Sequence, residues 1–286
     1  MRLPDRALDG NGVTRRTALR RGAGVAAAGA AFTVASAHVG SAVAADAAPG
    51  EGRDRSPASN SGSGSGSGSG SEPYLPRSVA GIRIPGSRLA RNAAEFARAA
   101  SSETLFHHVM RSYLFGCALF DLRSVPYDRE LAFVAAVLHD LGLVEAYRTP
   151  TERFEVDGAD AARRFLVGHR VPAERVEIVW DAIALHTDTG VATRKRPEIA
   201  MVSLGSGLDF SGNGLQQIPS ETREEILAAF PRQGFKQDAL STILSLCRTK
   251  PLSTLMHPFA EVGRRHLPDF PVPTVEDLLL AAPFAD

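Results

Sequence analysis

The chain has 286 residues and no formal net charge at neutral pH, because 32 lysines and arginines balance 32 aspartates and glutamates. The first 44 residues contain six of the arginines and two of the acids, which leaves 26 basic against 30 acidic residues in the remainder. A remainder with this balance has no basic field to attract nucleic acid and no polybasic cluster for an anionic membrane surface. We therefore expect no nucleic-acid partner.

A twin-arginine pattern lies near the start of the chain. Arg15 and Arg16 precede a mildly apolar stretch of alanine, glycine and valine that ends in small residues. This order is that of a secretory signal, and the arginine pair is typical of the Tat type. We predict a Tat-type signal peptide at residues 1–47, cleaved after Ala44 or Ala47; a disordered leader with chance arginines is the alternative. Export by the Tat machinery to the cell envelope or the medium follows, with no stable membrane span in the mature form.

A glycine- and serine-rich segment follows at residues 48–73. Strict Gly-Ser alternation cannot bury a core, so this segment is predicted to be a disordered, flexible linker. The folded unit is then expected at residues 74–286, which is long enough for one well-packed domain.

Apolar residues in this unit recur at spacings of three and four, the period of amphipathic helices. A short strand at residues 79–84 is the one candidate for β-structure, and no internal repeat is visible. We predict an all-α domain packed around one core, in which Gly142 ends the second helix as a C-cap. The predicted helices are residues 102–122, 127–141, 157–168, 173–187, 197–208, 220–230, 237–248 and 275–281.

The chain has two cysteines, Cys117 and Cys247. Both lie in apolar helical patterns, where a buried free thiol is common. An exported protein can also form a disulfide. We favour two buried thiols, and neither cysteine has the neighbours of a catalytic nucleophile.

The most informative segment is AFVAAVLHDLG at residues 132–142, where His139 and Asp140 stand at the end of an apolar helix. Polar groups taken out of water need partners, which a metal ion can supply. His108 and Arg111 are three residues apart and share a face of an earlier helix. Asp209 ends a later helix. Imidazoles and carboxylates that converge from several helices are how helical bundles build metal sites.

These residues resemble the HD superfamily of metal-dependent hydrolases. Further motifs in the same order, Phe154-Glu155, His186-Thr187-Asp188 and Asp209-x-x-Gly212, resemble its cyanamide hydratase-like branch. The resemblance implies an HD-domain helical bundle around a metal site. It implies four metal ligands and a zinc ion, although nitrogen and oxygen donors also suit iron, manganese or nickel. The implied ligands are His108, His139, Asp140 and Asp209.

The fourth ligand depends on the register of the later helix. Many HD proteins place this aspartate in an Ala-Asp-x-Leu-Asp context, and Ser206 would then occupy the ligand position, although serine is a poor ligand. We prefer the register in which Asp209 is the ligand; a turn-forming role is its alternative. Asp140 alone could instead be a capping carboxylate. Arg111 is predicted to orient a ligand carboxylate and is our candidate cofactor-binding residue.

Three residues are candidates for catalysis: Asp140, His186 and Glu155. His186 lies on the buried face of its helix and could bind substrate, move a proton or, with His169, hold a second metal ion. A hydrogen bond to the backbone is its structural alternative. Glu155 could reach the pocket, or could be a first-turn charge favoured by the helix dipole.

The predicted function is metal-dependent hydrolysis or hydration of a small molecule by water acidified toward a pKa of about 7. The resemblance implies a nitrile substrate such as cyanamide, with urea as product. A phosphohydrolase is the first alternative, although the sequence offers few cations near the site to balance phosphate charge. A domain that binds a ligand or partner without catalysis is the second. The oligomeric state is left open.

Overall fold

The computed structural model describes residues 75–284, all within the compact unit Ser67–Asp286. The predicted signal peptide at residues 1–47 and the linker at residues 48–73 lie outside the described residues. Two positions at the end of the predicted domain, 285 and 286, lie outside them as well.

The described residues form eleven α-helices, which confirms the predicted all-α class. Short 3-10 turns join several of them, and no helix in this part of the chain is long and apolar enough to cross a membrane. The helices are α1 Arg88–Ala100, α2 Glu103–Leu122, α3 Arg129–Leu138, α4 Phe154–Gly168, α5 Ala173–Ala184, α6 Thr189–Ala192, α7 Pro197–Ser211, α8 Ser220–Ala229, α9 Phe235–Thr249, α10 Phe259–His266 and α11 Val275–Leu280.

The core is built around α2, which packs along α7 and against α3. Glycines allow α2 and α7 to approach closely. A Cβ atom at Gly205 would overlap the Ser112 carbonyl oxygen, and one at Gly116 would lie 2.9 Å from the Met201 side chain. The close approach places the polar residues of α2 beside those at the end of α7. It thereby sets the geometry of the site described below.

The prediction that Gly142 ends the second helix is wrong. The helix α3 ends at Leu138, and Gly142 lies inside a separate 3-10 turn, Leu141–Leu143. A Cβ atom at Gly142 would overlap the Phe154 carbonyl oxygen and lie 2.8 Å from the Gly158 nitrogen. Glycine is therefore needed here for contact with α4, which holds the start of α4 against the His-Asp turn.

The helix α1 was not predicted from the pattern of large apolar residues, because its buried face consists of alanines. Ala90, Ala93, Ala94 and Ala97 are buried at spacings of three and four. The side chain of Ser87 caps its first turn by accepting a hydrogen bond from the Ala90 nitrogen at 3.1 Å.

The predicted strand at residues 79–84 is instead a minimal antiparallel hairpin of β1 Ser78–Val79 and β2 Ile82–Arg83. Ala80 and Gly81 between the strands both have positive φ, 50° and 72°. Positive φ at both central residues is the geometry of the tight turns that match strand twist. The chain therefore reverses within the segment and does not continue as one strand.

Both cysteines are buried free thiols, as the apolar patterns predicted. Burial raises the pKa of Cys117 to about 11 and also raises that of Cys247.

Candidate metal centre

His139 is the residue that caps α3, and its side chain is completely buried. Its Nδ1 lies 2.7 Å from the Ala136 carbonyl oxygen. Because a carbonyl can only accept, Nδ1 carries the proton and Nε2 presents a lone pair. Within the described part of the chain, this buried Nε2 atom has no hydrogen-bond partner. A buried lone pair without a partner is costly in water-free surroundings and is what a metal ion would satisfy.

His108 and His186 direct their Nε2 atoms toward the same carboxylate, that of Asp140. His108, on α2, has Nε2 at 3.3 Å from Asp140 Oδ2, and His139 Nε2 lies 3.4 Å from the same oxygen. His186, just after α5, has Nε2 at 3.6 Å from Asp140 Oδ1. Its Nδ1 donates to the Ile183 carbonyl oxygen at 2.7 Å. We call His108, His139, Asp140 and His186 the central cluster.

The central cluster has the chemistry of a divalent metal site. Ligand atoms from His108, His139 and Asp140 all lie within 4.8 Å of one another, and all three residues are buried. Each imidazole has its Nδ1 fixed by an oxygen atom, which leaves Nε2 for the ion. Metal-binding histidines are held in the same way, because the outer hydrogen bond sets tautomer and ring orientation. The residues present therefore fit a metal ion, as the sequence predicted for these three.

The structure places Asp209 behind His108, away from the space between the imidazoles. Its Oδ2 accepts from His108 Nδ1 at 2.7 Å, whereas the opposite nitrogen of that ring faces Asp140. In this position Asp209 is placed to orient His108, and its predicted role as a metal ligand stays a prediction. Ser206, in the alternative register, does line the cavity beside the cluster, but its hydroxyl donates to the Ser203 carbonyl oxygen at 3.2 Å.

Arg111 holds the Asp209 carboxylate, and its predicted role in orienting a metal ligand stays a prediction. Its Nε and Nη2 atoms donate to the two Asp209 oxygens at 2.7 and 2.8 Å, and its Nη1 donates to the carbonyls of Phe230 and Pro231. Arg232 adds a third contact, 3.0 Å from Asp209 Oδ1. Arg111 is fully buried, so this clamp is screened little by solvent. Arg111 does not line the cavity, which makes it a positioning residue.

The charges of the site favour a cation among the imidazoles. Burial alone would lower the pKa of His108, but hydrogen bonds to Asp140 and Asp209 outweigh it and raise the pKa to about 8. Burial lowers the pKa of His139 to about 4, so this imidazole is neutral at pH 7. Burial would raise the pKa of Asp140, but the three imidazoles hold it well below its usual value. The Asp140 carboxylate thus attracts positive charge to the position between the rings.

Glu155 is buried but does not line the cavity among the described residues, which corrects the prediction that it reaches the pocket. Its carboxylate accepts from Thr187 Oγ1, from Arg153 Nη2 at 2.6 Å and from His257 Nε2 at 3.0 Å. Thr187 and His257 do line the cavity. Glu155 therefore acts on the site by holding two of its wall residues.

A cavity of about 450 Å³ opens over the central cluster. Its wall is mostly apolar, and within residues 75–284 none of the lining side chains is a lysine or an arginine. The lining consists of Ala100, Ser102, Leu105, His108, His139, Asp140, Leu143, Val144, Phe154, His186, Thr187, Thr189, Ser203, Ser206, Gly207, Phe210, Phe235, Asp238, Ala239, Thr242, Ile243, His257, Pro258 and Phe259.

Two wall residues that the sequence analysis missed lie far along the chain from the cluster. Phe235, at the start of α9, stacks on the His108 ring with centroids 4.7 Å apart. The Nδ1 atom of His257 accepts a hydrogen bond from the Phe259 backbone nitrogen. The proton of this imidazole is therefore on Nε2, which faces Glu155. No spacing links either residue to the HD motifs. His169, the other candidate for a second metal, is exposed at the end of α4, outside the cavity lining.

Comparison with known protein families gives one finding that agrees with this geometry. Residues 105–230 match the family profile described as "HD domain". A comparison with curated proteins gives no significant match. HD domains are generally metal-dependent hydrolases. The matched segment contains every member of the central cluster and ends before Phe235, so the part of the chain that is similar to HD domains carries the candidate metal centre.

Proposed function

We propose that this protein is a metal-dependent hydrolase or hydratase that adds water to an uncharged reactive group of a small molecule. The observation that carries the proposal is the central cluster, in which three imidazole Nε2 atoms surround one carboxylate at the base of a cavity. A site of purely structural metal would be closed on all sides, whereas a catalytic site keeps room for water or substrate.

In this proposal, His108, His139 and Asp140 hold the ion through their Nε2 atoms and one carboxylate oxygen. Zinc is the expected ion, with iron, manganese or nickel as alternatives that the same donors accommodate. When bound, such an ion acidifies water and polarises an electrophilic carbon. Ser206, which the alternative register places where many HD proteins have an aspartate, lines the cavity beside the cluster.

His186 is the proposed general base. Its Nδ1 proton is committed to the Ile183 carbonyl, so the Nε2 atom that faces the cavity can accept a proton from water. Asp140 Oδ1, at 3.6 Å, would stabilise the imidazolium that forms. His186 then returns the proton to the product. Thr187, held by Glu155, supplies a hydroxyl on the adjacent wall.

The nature of the wall favours an uncharged reactive group. A phosphoester would need cations, and those near the site are already paired outside the cavity lining: Arg111 and Arg232 contact Asp209, and Arg153 contacts Glu155. The resemblance to cyanamide hydratases points to a nitrile, in which water adds across the C≡N bond to give an amide, or urea from cyanamide. A phosphohydrolase is the second candidate, because the HD family match is compatible with it.

The test compares metal content and turnover in the wild type, His139→Ala and His169→Ala. His169 is an exposed histidine at the end of α4 and serves as the matched control. We expect His139→Ala to lose both bound metal and activity on a panel of cyanamide, small nitriles, amides and phosphoesters, while His169→Ala keeps both. Full activity in metal-free His139→Ala would overturn the proposal.

The same panel separates the candidates. Turnover of phosphoesters alone, with about two metal ions per chain, would favour the phosphohydrolase. Bound metal without turnover of any compound would favour a binding domain that lacks catalysis.

Export through the Tat machinery belongs to the same proposal, because a protein that loads its metal before export must cross the membrane folded. Replacement of Arg15 and Arg16 by lysine should retain the protein inside the cell. Immunoblotting of cell fractions measures where the protein is. Unchanged export of this variant would rule out the twin-arginine route.

A further inference from the structure

One wall of the cavity comes from outside the HD domain. The helix α9 presents Asp238, Ala239, Thr242 and Ile243 to the cavity, at spacings that form one helix face. The segment from His257 to Phe259 continues this wall. The metal-binding groups lie within residues 105–230, so this α9 wall is the part of the cavity best placed to select the substrate.

Asp238 is the charged residue of the α9 wall. Its side chain is half-buried, and among residues 75–284 no hydrogen bond or ion pair engages its carboxylate. Other acids around the cavity are paired: Asp209 with Arg111, Glu155 with Arg153 and His257, and Asp140 with the imidazoles. Asp238 is therefore a negative charge that faces the cavity without a protein partner.

The other features of the cavity describe the rest of the ligand. A volume of about 450 Å³ lies in the range of sites that take ligands of many atoms, and it far exceeds the needs of a nitrile or amide group alone. The remaining wall is mostly apolar and partly aromatic, with Phe154, Phe210, Phe235, Leu143 and Phe259 among its residues. An apolar body therefore fits between the central cluster and Asp238.

We propose that the substrate is a cationic small molecule, with an apolar or aromatic body and a protonated amine that pairs with Asp238. The assignment of the central cluster to the reacting end rests on the proposed function, whereas the pairing at Asp238 does not. A hydrogen bond between two ionised groups is about twice as strong as a neutral one, and the apolar wall strengthens it further. An anionic ligand of the same size meets repulsion at the same place.

Binding of three probes of similar size tests the proposal: benzylamine, benzyl alcohol and benzoate, titrated calorimetrically into the metal-loaded full chain at neutral pH. We expect benzylamine to bind about tenfold or more tightly than benzyl alcohol. Asp238→Asn should remove the preference for the amine and leave the affinity for the alcohol unchanged. Asp238→Lys should reverse the preference in favour of benzoate.

Glu221→Gln is the matched control, since Glu221 is an exposed acid on α8 outside the cavity lining. It removes the same charge and should keep the amine preference. Equal affinity for amine and alcohol in the wild type, no detectable binding of any probe, or an amine preference that survives Asp238→Asn would each overturn the proposal.

The outcome is independent of turnover. If the protein prefers the amine but hydrates or hydrolyses none of the compounds, the proposed function is wrong and the pairing at Asp238 is still supported. Hydrolysis of uncharged compounds by a protein without amine preference would do the opposite.

Discussion

Replacement of Asp209 by asparagine separates an orienting role from that of a metal ligand. In the structure, Asp209 accepts the Nδ1 proton of His108 at 2.7 Å, on the side of the ring opposite the central cluster. An amide at this position can still accept that bond but no longer carries charge. The imidazole then becomes a weaker donor to the ion. Losses of this kind typically cost 10–100-fold in metal affinity, which corresponds to about 1.4–2.7 kcal/mol.

The affinity is measured by competition with a fluorescent zinc chelator, using the full chain. Two variants bracket the result. His139→Ala removes a group of the cluster itself and should abolish measurable binding. Asp121→Asn changes an exposed acid at the end of α2, which pairs with Arg129 at the surface, and should bind as the wild type does. The metal affinity of Asp209→Asn is expected to lie between the affinities of these two variants. Circular dichroism confirms that each variant is folded at the temperature used.

Two results would refute this reasoning. If Asp209→Asn loses binding as completely as His139→Ala, Asp209 is a ligand after all. If its affinity equals that of Asp121→Asn, the hydrogen bond to His108 does not contribute to the site.

Further predictions concern stability and reactivity. Arg111→Met should lower the unfolding free energy by about 3–5 kcal/mol in urea titrations, because it leaves a buried carboxylate uncompensated. The Arg232 side chain is 32% exposed, so Arg232→Met should lower it by only about 1 kcal/mol. Equal losses in the two variants would contradict the role of Arg111 in holding Asp209. Burial would raise the pKa of Glu155, but hydrogen bonds from His257 and Arg153 hold it below its usual value of 4.5. Its stabilising contribution is thus complete above that pH and is lost as pH falls below it, so unfolding of the wild type should depend more steeply on acid pH than that of Glu155→Gln. Cys117 and Cys247 should resist a thiol reagent until the protein unfolds, since both thiols are buried and have raised pKa values; rapid modification of the native protein would argue otherwise.

Sequence patterns predicted most of the helical framework and named all four residues of the central cluster as candidate site residues. Large apolar residues at helical spacing mark α2 and α3, and a polar pair at the buried end of α3 indicates a need for partners. The helix α1 escaped prediction because alanine contributes little to a hydrophobic pattern, although it packs as closely as any larger residue.

The position of Asp209 could not be predicted from spacing. An imidazole has two nitrogens on opposite sides, and a carboxylate near a histidine can stand at either one. In the structure, α2 and α7 approach closely at Gly116 and Gly205, and Asp209 stands at Nδ1 of His108. Phe235 and His257 were missed for a related reason: their proximity to His108 and Glu155 arises from tertiary packing across more than a hundred residues of chain.

Two parts of the chain form the site. The contacts between these parts explain how the sequence of one can change without affecting the other. The segment that matches the HD profile supplies the groups suited to a metal ion, fixed by hydrogen bonds within residues 105–230. The α9 wall is attached to it by buried polar contacts, His257 with Glu155 and Lys250 with Asp157. Because these contacts lie away from the central cluster, substitutions on the cavity face of α9 should change which molecules bind without changing metal affinity. Loss of the Lys250–Asp157 pair, by contrast, should loosen the whole wall, since it leaves a buried charge without its partner.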